Sequence, residues 1–184
     1  IMVRVNRAQA VNILRLDHVG TGEVRVGDRS FTLSALYRAQ LLAWLKDRRG
    51  CSGYGIELAD ANVLACERRG VNVIQLNLEE GLAMFGDASF DVVLQLDTMQ
   101  HLRNTERMLR ETARVGRIGI VSFPNFAHWP NRLRVATGRM PVTRVLPYEW
   151  YDTPNIRVGT FADFEVLARK VGLAVDDAFG IQAG

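Results

Sequence analysis

Apolar and mixed stretches alternate along residues 51 to 123, and the alternation predicts strands and helices in turn. "CSGYGIEL" (51–58), "VNVIQL" (71–76), "FDVVLQL" (90–96) and "RIGIVSF" (117–123) read as strands. The unbroken apolar run of "FDVVLQL" predicts burial on both faces, and "RIGIVSF" is expected to be buried too. Between them, Asp60 is expected to cap a helix stopped by Gly70, and Asn104 one that carries Met108, Leu109 and Thr112 and ends at Gly116. Ser34 is read as the cap of an earlier helix with Leu41, Leu42 and Leu45, ended by Gly50. Thr160 caps a later helix from Phe161 to Val171, which leads to a last strand near Leu173 to Phe179. Such alternation specifies an α/β protein with a mostly parallel sheet flanked by helices.

Residues 1–33 follow another rule. "EVRVGDRSFTL" alternates apolar and polar positions around Gly27-Asp28, which predicts a β-hairpin and not the lead into a βα unit. We therefore divide the chain into an atypical N-terminal segment, 1–33, and an α/β domain, 34–184. "LDHVGTGEV" (16–24) offers Gly20 and Gly22 as a cofactor loop, but the residues after it look extended where such a loop should open a helix.

Composition narrows the function classes. A length of 184 residues suits one domain, and 48% hydrophobic with 23% charged residues excludes a disordered chain. The apolar runs are a few residues long, where a membrane span needs about 20. With no leader pattern at the start and no disulfide framework in Cys51 and Cys66, the expected compartment is the cytoplasm. A net charge of +3 is too small to argue for nucleic acid.

The chemistry-bearing residues gather at predicted strand ends. Glu57, followed by Leu58, closes the 51–58 strand, where an acid can accept hydrogen bonds from ribose hydroxyls or serve the next helix N-terminus. Asn77 and Leu78 follow the next strand and can frame an adenine ring, although Asn77 also suits a turn. After "RIGIVSF" comes an excursion, 122–157, that holds all five prolines, five arginines and Phe123, Phe126, Trp129, Tyr148, Trp150 and Tyr151. Long shaped segments of this kind are functional surfaces, or covers for a sheet edge. Its His128, Trp129, Tyr148, Trp150, Tyr151 and Asp152 are the candidate partner or acceptor surface. Ser122, His128 and Asp152 could be named as a triad, but no G-x-S-x-G elbow surrounds Ser122. His18 and His101 lack metal-ligand spacing, so no metal is expected.

Taken together, "GCSGYGIELADANVLACERRGVNVIQLNLEEGL", "SFPNFAHW", "LPYEWYDTPNI" and "TFADFEVLA" closely resemble the MetW family of bacterial methionine biosynthesis proteins, over about residues 40–175. The resemblance implies a Rossmann-like, class I S-adenosylmethionine-dependent methyltransferase fold, and homoserine O-acyltransferase as partner. An active S-adenosylmethionine-dependent small-molecule methyltransferase is the alternative, with Glu57, Leu58, Asn77 and Leu78 holding the cofactor and the excursion enclosing the acceptor. An RNA methyltransferase using the arginines as a phosphate track is a third reading. Three departures bear on these, the first being that residues 1–33 do not resemble the family's amino-terminal region. The family's D-L-G-C-G-D-G loop would fall on Leu33 to Ala39, where Leu33 replaces the acid and Ala35, Tyr37 and Ala39 replace the glycines. Glycine lets the backbone approach a cofactor and a tyrosine ring fills that space, so poor S-adenosylmethionine binding is expected. The chain also stops soon after the sixth strand, which leaves the family's last strand missing or truncated.

Overall fold

The computed structural model describes residues 2–4, 18–20, 23–26, 29–32, 45, 47, 50–143 and 146–178. Strands β1 (Met2–Arg4), β5 (Ser52–Glu57), β6 (Val73–Gln75), β7 (Phe90–Leu96) and β8 (Gly116–Ser122) form one sheet in the order β6-β5-β1-β7-β8. β6 runs parallel to β5, and β8 parallel to β7. Strands β2 (His18–Gly20), β3 (Glu23–Val26) and β4 (Arg29–Thr32) form a separate antiparallel meander. Val26 pairs with Arg29, so β3 and β4 form the antiparallel pair that the alternation predicts. Gly20 pairs with Glu23, so the chain after the 16–24 glycines enters a strand and opens no helix. Of the predicted helix after Ser34, Leu45 and Asp47 are described, both helical; Leu33 to Ala39 lies outside the described residues.

Helices α1 (Asp60–Glu67), α2 (Thr105–Val115), α3 (Trp129–Ala136) and α4 (Phe161–Lys170) follow, with short turns of 3-10 helix at Leu78–Glu80 and Met99–His101. α2 buries Met108, Leu109, Thr112 and Val115, a spacing that lays one stripe along the helix. That stripe meets Phe90 and Val93 of β7, and Phe164 and Leu167 of α4 pack against the same cluster. β7 is buried at six of its seven residues, as its apolar run predicts. Asn104 accepts from the Arg107 amide and Thr160 from the Asp163 amide, so both expected caps form.

Three expectations are corrected. Asp60 does not cap α1: Ala59 holds that position, and the Asp60 carboxylate receives Gln75 Nε2 from β6 instead. β8 is not buried, since Ile118 is 59% exposed and no strand lies beyond it among the described residues. Residues 173–178 make no ladder: Asp177 Oδ1 accepts the Ala178 amide at 2.8 Å, a local bond that competes with strand pairing.

α2 passes into β8 through Gly116 with no linker. A Cβ there would lie 2.5 Å from Val93 Cγ2 and 3.2 Å from the Thr112 carbonyl oxygen, both in the packed interior. Gly116→Ala is expected to cost about 1–3 kcal/mol by overpacking. A urea midpoint equal to that of the parent chain would refute this.

Glu111 and Arg114 of α2 hold the 81–87 loop. Glu111 Oε2 accepts the Leu82 amide at 3.0 Å, while Arg114 donates to the carbonyls of Leu82 at 3.0 Å and Phe85 at 2.8 Å and to Asp87 at 2.9 Å. The hydrogen-bonded Arg114 guanidinium keeps the Glu111 carboxyl below the usual carboxylate range, with burial opposing it. Hydrogen bonds from Lys170 and then Arg110 act alike on Glu106. A carboxylate whose folded-state pKa is depressed contributes stability above its unfolded pKa and loses it as pH falls through the folded value. The urea midpoint should therefore hold from neutrality down to about pH 5 and fall below about pH 4. Glu111→Gln should flatten part of that fall, and an unchanged acid limb would remove Glu111 from the account.

Candidate functional site

Ligands of open α/β sheets collect at the carboxyl ends of the parallel strands, which here carry Glu57, Gln75, Leu96 and Ser122. Glu57 and Gln75 are register partners, so Glu57-Leu58 and Asn77-Leu78 stand side by side at that edge. Each is engaged locally. Glu57 Oε1 accepts the amides of Leu58 at 2.8 Å and Ala59 at 3.1 Å, the helix-serving role that sequence reading left open beside ribose binding. Asn77 Oδ1 accepts the Glu79 amide at 3.0 Å and caps the short turn Leu78–Glu80. Leu78 packs against the core cluster, whereas Leu58 is 59% exposed.

The centre of this edge differs from a cofactor cradle. In Rossmann-like sheets the central strand runs parallel to its neighbours, and its βα turn meets the cofactor. Here β1 is antiparallel to both, with Met2 opposite Tyr54 and Arg4 opposite Ser52. β1 therefore points away from the edge that carries Glu57 and Asn77. The described residues do not fit S-adenosylmethionine in the way its fold family holds it.

The excursion contains α3, a helix the sequence analysis does not expect within the proline-rich segment; Pro130 sits in its first turn, where it lacks only an amide that would be unpaired anyway. His128 sits at the helix cap and its ring lies 6.4 Å from that of Trp129. Trp150 and Tyr151 meet edge to face at 5.7 Å, in a turn where the Asp152 amide donates to the Glu149 carbonyl. Trp129 is 67% exposed, Trp150 and Tyr151 71% each, and Tyr148 48%. Among the described residues no ring contact joins the two pairs. Ser122 Oγ accepts the Asp97 amide at 3.0 Å, a structural task that leaves the triad without support.

The excursion returns to the sheet by backbone bonds. The Ile156 and Arg157 amides both donate to the Gln100 carbonyl at 3.0 Å, and the Phe126 amide donates to Gly159 at 2.9 Å. Between this return, the turn after β7 and α4 lies a cleft of about 350 Å³. Gln100 and Arg103 in its wall were missed from the sequence; the available signal was their place just past a strand buried on both faces.

Among the described residues no helix is long and apolar enough to cross a membrane. A solved SAM-dependent methyltransferase from Archaeoglobus fulgidus is 15% identical and superposes with a TM-score of 0.55, covering 73% of this chain and 56% of that one. At that identity the likeness shows the fold alone: an α/β methyltransferase-like sheet flanked by helices. The "Bifunctional methionine biosynthesis protein MetXA/MetW" of Rhodopirellula baltica is 38% identical over 148 residues, covering 75% of this chain and 24% of the relative. The chain thus spans about a quarter of that relative's length. The family model "Methionine biosynthesis protein MetW" matches residues 20–183, starting inside the segment that sequence reading set apart. With the match running over most of the length and the fold agreeing, the chain belongs to the MetW family of methionine biosynthesis proteins.

Proposed function

We propose that this chain is a cytoplasmic partner of homoserine O-acyltransferase, an interaction protein on a methyltransferase-like fold. The observation that carries the reading is the exposed aromatic surface of the excursion: Trp129, Tyr148, Trp150 and Tyr151 present large apolar areas with polar tips to solvent. Such side chains dominate binding hot spots, and a surface that exposes four of them in one excursion is suited to a protein partner. The relative from Rhodopirellula baltica supports the pairing, because its name joins MetXA and MetW in one chain.

Co-expression with homoserine O-acyltransferase tests it. The two proteins should co-elute in size-exclusion chromatography, and the acyltransferase rate should rise when this chain is added. Separate elution with an unchanged rate would overturn the reading.

The second reading, an active S-adenosylmethionine-dependent small-molecule methyltransferase, draws on the fold and on Glu57, Leu58, Asn77 and Leu78 sharing one sheet edge. Cofactor titration separates it from the first, because only the methyltransferase requires S-adenosylmethionine.

A further inference from the structure

We propose that the cleft between α2, α4 and the returning excursion binds a small amino or hydroxy acid with an apolar side chain, without a cofactor. Its floor is apolar: Met99, Phe123, Phe126, Leu146 and Phe164 all line it. A volume of about 350 Å³ falls within the range of small-molecule sites.

Three polar features select the ligand. Gln100, in the wall, is 8% exposed, and its Oε1 has no hydrogen-bond partner among the described residues. A buried acceptor left unmade costs free energy, so turning the Gln100 amide toward a ligand N–H or O–H in the cleft gains more than a solvated contact would. Arg103 and Arg157 stand in the same wall, and a guanidinium recognises a carboxylate through paired donors. One Arg157 nitrogen donates to the Arg103 carbonyl at 2.8 Å, which positions the side chain while leaving its other donors for a ligand. Finally, the first turns of α2 and α4 both contribute wall residues, Asn104 and Thr105 from one and Thr160 from the other, and helix N-termini favour anions.

The acidic wall residues are engaged by their neighbours. Glu106 is held by Arg110 at 3.0 Å and Lys170 at 2.6 Å, and Asp163 accepts the Thr160 hydroxyl at 2.6 Å. The Gln100 carbonyl is also the anchor of the Ile156 and Arg157 amides, so acceptor and cation are set by one backbone junction.

Calorimetric titration of the full chain with three probes tests the proposal: L-leucine, 4-methylpentanoate, which lacks the donor, and 3-methylbutylamine, which lacks the carboxylate. L-leucine should bind saturably, with each analogue at least about tenfold weaker. Gln100→Leu should weaken L-leucine about tenfold and leave 4-methylpentanoate unchanged. Arg103→Ala, at an exposed side chain, should weaken both carboxylates and spare the amine, and decides the matter if Gln100→Leu fails to fold. No saturable binding of any probe up to about 10 mM, far weaker than working sites bind, would overturn the proposal. L-leucine bound no better than the analogues, or unaffected by the folded variants, would overturn it too. The partner reading is independent: removing the Trp150 and Tyr151 rings should leave L-leucine binding intact.

Discussion

A Trp150→Ala, Tyr151→Ala double variant is expected to keep the melting temperature of the parent chain and to lose the acyltransferase. Both rings are 71% exposed and pack chiefly on each other, edge to face at 5.7 Å, so their removal leaves no interior cavity. At an interface the same two side chains would be central anchors, each worth about 2 kcal/mol or more, so together they should weaken the complex about a thousandfold. The excursion is held ready for this: its return is pinned at Gln100 and Gly159, and His101 Nδ1 lies 3.1 Å from the Pro154 carbonyl oxygen. Prolines 147 and 154 flank the aromatic turn and limit its alternatives, which reduces the ordering cost of binding. Co-purification, acyltransferase rate and a melting curve on one preparation decide the outcome. Retained complex and retained stimulation would remove these rings from the interface. A lower melting temperature would make them a cover for the fold.

Titration with S-adenosylmethionine is expected to show no saturable binding at micromolar concentration. The sequence motive is the loop position at Leu33 to Ala39, where Tyr37 and Ala35 stand in place of glycines. The structural motive is separate: β1 is antiparallel in the central slot, Glu57 Oε1 is committed to two backbone amides, and Asn77 Oδ1 to a third. A micromolar isotherm would refute the expectation and favour the methyltransferase reading. In that event Glu57→Ala should weaken binding by about 1.5–3 kcal/mol, the range for a hydrogen bond to a charged group. Unchanged affinity would take Glu57 out of the site.

Much of the fold was legible in local pattern. The limits of β7 follow from a seven-residue stretch that is apolar except at Asp91 and Gln95, and the starts of α2 and α4 from Asn104 and Thr160, whose side chains cap within three residues of themselves. Glu57 shows where legibility stops. Its position at a strand end was evident, yet ribose binding and helix service use the same carboxylate, and only the placement of the Leu58 and Ala59 amides separates them.

The sequence by itself determined the strands from β5 to β8, the helices that begin after Asn104 and Thr160, the pairing of β3 with β4, the family resemblance and the aromatic excursion. These depend on the period of side chains along the chain, on caps and on composition, all of which act over a few residues. Tertiary structure alone decided that β1 enters the sheet antiparallel, that β8 is left with an exposed Ile118, and that Gln100 and Arg157 are joined by a backbone bond in the wall of one cleft. Each of those depends on which backbone groups find partners far away in the chain. Strand direction and the pairing of a buried amide are set by hydrogen bonds between remote segments, and no local period encodes which segment will supply them.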